Sequence, residues 1–503
     1  LSVSPTESQR TIIVTALHLS GQTLFTEAEL LAISGFTPEM EVTLAKLHAM
    51  VAAITTHYQR HGYFTTRAYL PAQEIVDGVV AITVVEGRYG AITVNNTSVL
   101  ADAVMVPLVN GLNSGDVIAA LPLERRLLLL AELPGVRVES LLVPGTAVGT
   151  SDLLIDVTPG RRFRGSVDMD NAGNRYTGRY RFGATLEWNE PAGLGDVASL
   201  RGVTSGAGYS YFRAGYRLQA GSATVGGSYS TVAYQLGEEF APLHANGTAQ
   251  TLSSFVSYPL LRSRRSTLVV ALGYDSKTFQ DRLETTATIT DRTAQVVTLS
   301  LSGEQRDGWG SGGVTGYHVA WSAGNITIQT PAAYAYDAAT VHSNGSYNKV
   351  AYRLMRQQQL TDSLELSAAV DGQVAFKNLD ASEKMALGGM YGVRAYPEGE
   401  AFADQGYVAT LELRLLLPQL FVSLPGRVHL VALYDTGTVQ RNKHPWTTER
   451  NERNLSGAGG GIIWAAPDNF LLQAYYAHKL GDDTVLSGPD APGQFWFQIV
   501  KYF

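Results

Sequence analysis

Apolar residues change their spacing once along this chain, and the change falls near residue 160. Up to Pro159 helical and extended periods alternate. Between Thr43 and His61 the residues Leu44, Leu47, Val51, Ile54 and Tyr58 recur three or four apart, so they share one helical face, and Gly62 supplies a left-handed stop. Thr26-Glu27-Ala28-Glu29 has the capping-box arrangement that starts a shorter helix. Ile12–Leu19, Phe64–Leu70 and Val79–Val85 are rich in β-branched and aromatic residues and read as strands, the last two separated by a turn containing Asp77-Gly78. The order is β-α-α-β-β. A second run repeats it: Ile92–Val94 as a strand, Ala101–Val109 and Leu121–Leu133 as helices, the latter stopped by Pro134-Gly135, then Val136–Val143 and Asp152–Val157 as strands. Two small α/β repeats, residues 11–87 and 88–159, are expected behind a tail of residues 1–10. Neither assembles an active site.

Beyond Arg161 the period becomes two. Tyr180, Phe182, Ala184, Leu186 and Trp188 alternate with Arg181, Thr185, Glu187 and Asn189. Leu364, Leu366, Val370, Val374 and Phe376 oppose Glu365, Ser367, Asp371 and Gln373, and Tyr407, Ala409, Leu411, Leu413, Leu415 and Leu417 oppose Val408, Thr410, Glu412 and Arg414. Val297–Ser302 alternates in the same way, and Asn246-Gly247, Asn344-Gly345 and Pro397-Glu398-Gly399 supply turns between such runs. At roughly 20–22 residues per strand with its connection, residues 161–503 hold sixteen strands, each able to supply the ~9–11 tilted residues that cross a bilayer. The fold class expected is therefore mainly β: a sixteen-stranded antiparallel transmembrane barrel over residues 160–503, preceded by the two repeats. A lumen of this kind would keep Glu187, Asp371, Glu412 and Arg414 hydrated. A soluble sandwich or propeller would share the alternation, but Tyr and Trp near the strand ends look more like interfacial girdles beside outer-membrane lipid. Phe495–Phe503 closes the chain on an alternating strand with a terminal aromatic, the signal that barrel-assembly machinery reads in its clients.

Composition narrows the chemistry. The chain of 503 residues carries 51 Gly, 25 Tyr and only 17% charged residues, as extended structure with many tight turns requires. Its formal charge of −7 lacks the cationic field of a general nucleic-acid binder, and the absence of Cys removes thiol catalysis, disulfides and thiolate metal sites. No run approaches the ~18–20 uninterrupted apolar residues of a spanning helix, the densest being Leu127–Ala131 between Arg126 and Glu132. The start, Leu1-Ser2-Val3-Ser4-Pro5, has no basic or apolar signal region. Gly193-Leu194-Gly195-Asp196-Val197-Ala198 satisfies G-x-G-x-x-A but has no helix behind it and reads as a turn; Gly457–Gly461 reads as a strand where another backbone approaches closely. With no H-E-x-x-H and no G-x-S-x-G, neither enzyme, metal nor cofactor is expected.

Several longer motifs resemble one family. His57-Tyr58-Gln59-Arg60-His61-Gly62-Tyr63-Phe64-Thr65-Thr66-Arg67-Ala68-Tyr69-Leu70-Pro71-Ala72-Gln73, with Gly78 and Val85-Glu86-Gly87, is similar to the first POTRA domain of the TpsB transporters of two-partner secretion, in the superfamily that also holds BamA-type insertases. Leu123-Glu124-Arg125-Arg126-Leu127-Leu128-Leu129-Leu130, Leu133-Pro134-Gly135-Val136 and Gly149-Thr150-Ser151-Asp152-Leu153 resemble the second. The barrel entry Asp170-Asn171-Ala172-Gly173 with Thr177-Gly178, and the hairpin Asn189-Glu190-Pro191-Ala192-Gly193-Leu194-Gly195-Asp196, are also similar to the family pattern. Val393-Arg394-Ala395-Tyr396 resembles the family's Val-Arg-Gly-Tyr/Phe motif, at the tip of an extracellular loop folded into the lumen.

The resemblance implies an outer-membrane pore, with its POTRA domains in the periplasm, that secretes a large β-rich TpsA-type exoprotein recognised through its N-terminal secretion domain. No nucleotide energy and no nucleic acid are involved, and a monomer is expected. It places Arg394 against an acid on the inner wall, matched here by Asp435, whose strand parity is opposite to that of Val428, Leu430, Ala432 and Tyr434. Ala395 stands where the family usually has Gly and would be strained if the backbone there required positive φ. Client contacts are expected at Tyr63, Arg67, Arg125 and Arg126, although the two adjacent arginines read most simply as a solvated helix face. The family's N-terminal plug helix is expected to be missing, since ten residues precede Thr11. The competing readings are an outer-membrane assembly factor and a passive porin.

Overall fold

The computed structural model describes residues 11–206, 208–419, 425–481 and 483–503. The tail expected over residues 1–10 lies outside the described residues. The chain divides after Gly160 into two compact units.

The first unit begins with β1 (Thr11–Val14), β2 (Ala16–Ser20), α1 (Glu27–Ser34), β3 (Met40–Thr43), α2 (Leu44–Arg60), β4 (Arg67–Tyr69) and β5 (Val79–Val85). Strand β5 lies between β2, which runs parallel to it, and antiparallel β4. The single strand expected over Ile12–Leu19 is broken at Thr15, because that residue turns aside to donate its backbone N–H to Gly78 and its hydroxyl to the Asp77 carbonyl. What precedes the break pairs instead with β3, a strand too short to show a period of its own. Phe64–Leu70 shortens to three residues because a turn from Tyr63 to Thr66 occupies its start. Helix α1 carries the complete capping box of Thr26 and Glu29, and α2 starts on Thr43, whose hydroxyl accepts from the Lys46 amide.

The second half of the unit contains β6 (Arg88–Asn96), α3 (Asp102–Val109), α4 (Ala120–Ala131), β7 (Val136–Pro144) and β8 (Thr150–Pro159), in the sheet order β6-β8-β7. Leu108, Ile118, Leu130, Ile155 and Val157 form its dry centre. Backbone bonds from Ala120 to Gly62 (2.9 Å) and from Ile118 to Gly87 (2.8 Å) join the two repeats. Beside that joint the buried Glu86 carboxylate accepts from Thr23 N (2.7 Å), Leu24 N (3.0 Å), the Tyr58 hydroxyl (3.0 Å) and the Thr23 hydroxyl. Arg88 touches Glu86 at 3.4 Å and donates to the Gly115 carbonyl at 2.9 Å, so one guanidinium spans the joint.

The second unit is a closed antiparallel barrel of sixteen strands, from eight residues in Phe163–Asp170 to twenty in Thr288–Asp307. No helix among the described residues is long and apolar enough to cross a membrane. The alternating residues divide between two faces. Phe182, Leu186, Trp188, Tyr407, Leu411 and Leu413 are exposed on the outside, whereas Val408 and Glu412 are buried on the inside. Phe163 and Trp188 stack at 5.9 Å at one rim, an arrangement suited to an interfacial girdle.

The first and last strands close the cylinder through a ladder from Gln498↔Asp170 to Tyr502↔Ser166. Gly165 and Phe503 exchange two backbone bonds of 3.0 Å below it, and above it the Asn171 amide donates to the Phe495 carbonyl and accepts from Phe497 N, both at 2.8 Å. The lumen departs from the uniformly hydrated interior expected from sequence. Glu412 is 6% exposed and bonded to two arginines, because a loop packs an apolar cluster against one side of the wall. Asp371 and Arg353, on another sector, remain about half exposed at 3.4 Å.

Burial pushes the Glu86 carboxyl up, but the hydrogen bonds from Thr23, Leu24 and Tyr58 outweigh it and hold the group below its ordinary 4.5. A carboxylate depressed in this way stabilises the fold above the unfolded value, and that contribution disappears as pH falls through the depressed one. Glu86→Ala is expected to lower the stability of the first unit by about 1.5–3 kcal/mol at neutral pH, the usual worth of hydrogen bonds to a charge. The expected difference between variant and wild type shrinks below pH 4. Urea-dependent proteolysis of residues 1–160 in the purified protein, at pH 7 and pH 3.5, measures both.

Candidate functional site

The connection between the strands Leu364–Ala375 and Gln405–Leu416 folds into the barrel instead of over its rim. It is a hairpin, with Met385 and Ala386 paired to Ala403 and Phe402. Beyond that pair the chain closes on itself: Leu387 N donates to the Ala401 carbonyl (3.0 Å), Val393 N to Leu387 (2.8 Å) and Gly389 N to Tyr396 (3.1 Å). These bonds satisfy the backbone where water is excluded. Gly389 (φ +104°) and Gly399 (φ +80°) provide the left-handed residues of the two bends, and a side chain at 399 would also meet Asn174.

Val393, Ala395 and Tyr396 are fully buried against Leu433, Leu455, Tyr475 and Trp496 of the wall. Arg394 is thereby held in a dry setting, where its charge must be met directly. Its Nε and Nη2 each lie 2.8 Å from one oxygen of Asp435, a bidentate pair, and its backbone N–H adds a third bond to the same carboxylate at 3.1 Å. Nη1 reaches Glu412 at 2.5 Å, and the other Glu412 oxygen takes two bonds from Arg414 (2.6 and 2.9 Å). Two arginines and two acids therefore balance, with Asp435 wholly enclosed. The indole of Trp496 donates to the Arg394 carbonyl at 2.7 Å, and the guanidinium sits 5.1 Å over the Tyr475 ring.

Ala395 has no positive φ, so the strain expected of it does not arise. Its methyl group faces Gly457, where an added Cβ would collide with it, and Gly437 in the same way leaves room for Leu387. The space that the loop tip needs is provided by glycines of the wall. A cavity of about 730 Å³, lined in part by Arg353, Asp371, Met390, Tyr391 and Arg394, remains beside the loop.

Sequence parity gave the direction of Asp435, but it left Glu412 among hydrated charges and Trp496 as one of several terminal aromatics. Parity says which way a side chain points, not what lies opposite. Of the client-contact candidates, Tyr63 is half-buried, with its ring 6.2 Å from Phe25 and Tyr58, and Arg67 is exposed at the start of edge strand β4. Arg125 and Arg126 lie half-buried on α4, in the other repeat.

The family description "Haemolysin secretion/activation protein ShlB/FhaC/HecB" matches residues 149–463, and the ShlB-type POTRA domain matches residues 12–87. The chain belongs to the ShlB/FhaC/HecB family. The heme/hemopexin transporter protein HuxB of Haemophilus influenzae is 28% identical over 474 residues, which cover 92% of this chain and 82% of HuxB. The outer membrane transporter CdiB of Dickeya dadantii is 25% identical over 433 residues, 84% of this chain and 75% of its own. The solved structure of CdiB from Escherichia coli shares the fold over 100% of this chain and 92% of its own, with a TM-score of 0.78 at 22% identity. As a ShlB/FhaC/HecB protein the chain is an outer-membrane transporter of two-partner secretion with its POTRA region in the periplasm. The strand Phe163–Asp170 then runs outward, and alternation along the barrel puts the Arg394 loop on the cell-surface side.

Gly457→Val is expected to drive the loop tip off the wall, at the roughly 1–3 kcal/mol of an overpacked site. Purified protein in planar bilayers should show a higher mean conductance, and the loop should be cut earlier by added protease. Heat-modifiable migration of the barrel should be unchanged, and Ala395→Gly in the same chain should restore part of the closure.

Proposed function

We propose that this chain moves one large, β-rich exoprotein of the TpsA type across the outer membrane as an extended polypeptide, and that the Arg394 loop is the gate it displaces. The observation that carries the reading is a charged, hydrogen-bonded loop tip seated inside a closed barrel, in a chain of the ShlB/FhaC/HecB family. The periplasmic repeats expose sheet edges at β4 and β7, where a client strand can add through main-chain hydrogen bonds while neighbouring side chains give selectivity. Arg67 on β4, with Tyr63 close by in sequence, is a contact for that strand, and Arg125 and Arg126 on α4 offer a cationic one. Folding of the client outside makes its return unfavourable, so a conduit and a gate suffice without nucleotide or cofactor.

The exposed apolar band suits outer-membrane lipid, and the aromatic, alternating strand Gly493–Tyr502 suits recognition by the barrel-assembly machinery during biogenesis. A single chain closes the cylinder, which supports a monomer. The transporter acts as a conduit and not as an enzyme. HuxB is named for a heme/hemopexin cargo and CdiB only as a transporter, so the client class stays at the level of a secreted β-rich protein.

Deletion of residues 1–160 is expected to abolish secretion of the exoprotein into the culture supernatant while leaving a barrel that still shows heat-modifiable migration. Undiminished secretion by that variant removes the capture step. Arg394→Ala is expected to reduce secretion at least tenfold and to raise conductance, because Asp435 and Glu412 then lose the cation they enclose, a loss worth roughly 3–5 kcal/mol. Depletion of the protein separates this reading from an assembly factor: one secreted partner should disappear, not many outer-membrane proteins.

A further inference from the structure

The loop meets the wall a second time, before it reaches Arg394. A short 3₁₀ turn, Ala381–Glu383, starts on Asp380, whose carboxylate accepts from Ser382 N at 3.0 Å. The turn directs Glu383 at the wall, where Lys277 Nζ lies 2.7 Å from one of its oxygens and Lys349 Nζ 2.9 Å from the other. Lys349 also donates to the Glu383 carbonyl at 2.8 Å, and Arg292 holds Asp380 at 2.6 Å. Glu383 is 3% exposed, a burial that a lone carboxylate does not tolerate.

These cations come from the strands Ser266–Leu283, Thr288–Asp307 and Gly345–Gln359. The acids that hold Arg394 come from Gln405–Leu416 and Arg427–Gln440, on a different sector of the cylinder. The loop is therefore fastened to the wall at separate places, and on the closed sheet the strands that hold Glu383 and those that hold Arg394 are parted by the strand Leu364–Ala375. At Arg394 the loop supplies the cation and the wall the anions; at Asp380 and Glu383 the loop supplies the anions and the wall the cations, as it does again at Glu400, which Arg453 of the strand Glu452–Ala466 holds at 2.7 Å.

We propose that Glu383, with Lys277 and Lys349, is a second latch of the gate, which positions the base of the loop against the wall independently of Arg394, so that release of Arg394 alone leaves the loop partly held. The proposal rests on reading the Arg394 loop as the gate. Glu383 is a positioning residue: it acts on where the loop lies. Lysine suits a latch that must release, because its ammonium is readily rehydrated on a flexible stem, whereas the bidentate Arg394 pair is more rigid.

The test is the open probability of the full-length protein in planar lipid bilayers, for Glu383→Gln, Arg394→Ala and the double variant. Independent latches add in free energy, so each single variant is expected to open at least tenfold more often and the double variant by about the product of the two single factors. Lys277→Ala with Lys349→Ala should reproduce Glu383→Gln, whereas Lys277→Arg with Lys349→Arg should keep wild-type closure, which a purely packing role would not give. The lysine variants also stand in if Glu383→Gln fails to insert. Wild-type opening in Glu383→Gln, or a double variant no more open than Arg394→Ala alone, overturns the second latch. With Arg394→Ala open and secretion defective, that outcome leaves the gate reading intact; wild-type conductance in Arg394→Ala removes the gate reading itself.

Discussion

A charge that is enclosed must be answered by charge, and in this barrel the requirement falls on a single guanidinium. Arg394 is buried beside an apolar cluster, two acids of the wall meet its N–H groups, a tyrosine ring faces the guanidinium and a tryptophan holds its backbone carbonyl. Asp435 and Glu412 can be buried only because Arg394 and Arg414 are there, and the loop can lie inside only because Gly437 and Gly457 leave space for it. Removing one partner strands the rest. The site is stable as a set while remaining expensive in each of its members, a property suited to a seat that has to be occupied or vacated as a whole.

Much of the architecture could be read from spacing alone. The periods of 3.6 and 2 separate α2 from the barrel strands without ambiguity, because Leu47, Val51 and Ile54 face one core while Phe182, Leu186 and Trp188 face outward. Strand β3 escaped because four residues hold no period, and Thr43 serves at once as its last residue and as the cap of α2. The break at Thr15 depends on a turn 62 residues away in sequence, which no local pattern reports. In the same way Glu412 had a known direction but no known neighbour, since its partner arrives on a loop. Gly457–Gly461 carried a usable signal, a wall made thin for something to approach, without saying what would approach.

The two faces of the barrel follow different rules, and the lumen itself is divided. On one sector Asp371 and Arg353 remain about half exposed, as charges in water do; on another the interior is as dry as a globular core. A conduit with one greasy flank offers an extended chain two kinds of surface, and the loop covers the greasy one. Displacing it exposes apolar wall along the path of anything that passes.

The closing seam joins segments more than 300 residues apart: Asn171 reaches Phe495 and Phe497, and Gly165 exchanges bonds with Phe503. Neither margin has a partner among its neighbours in sequence, so the cylinder cannot shut progressively as the strands are laid down. Until the last hairpin arrives, the nascent sheet has two raw borders, each a template for unwanted pairing. Completion of the ring is therefore a late, all-or-none event, and an escort that shields those borders has its greatest effect on the folding of this chain just before it.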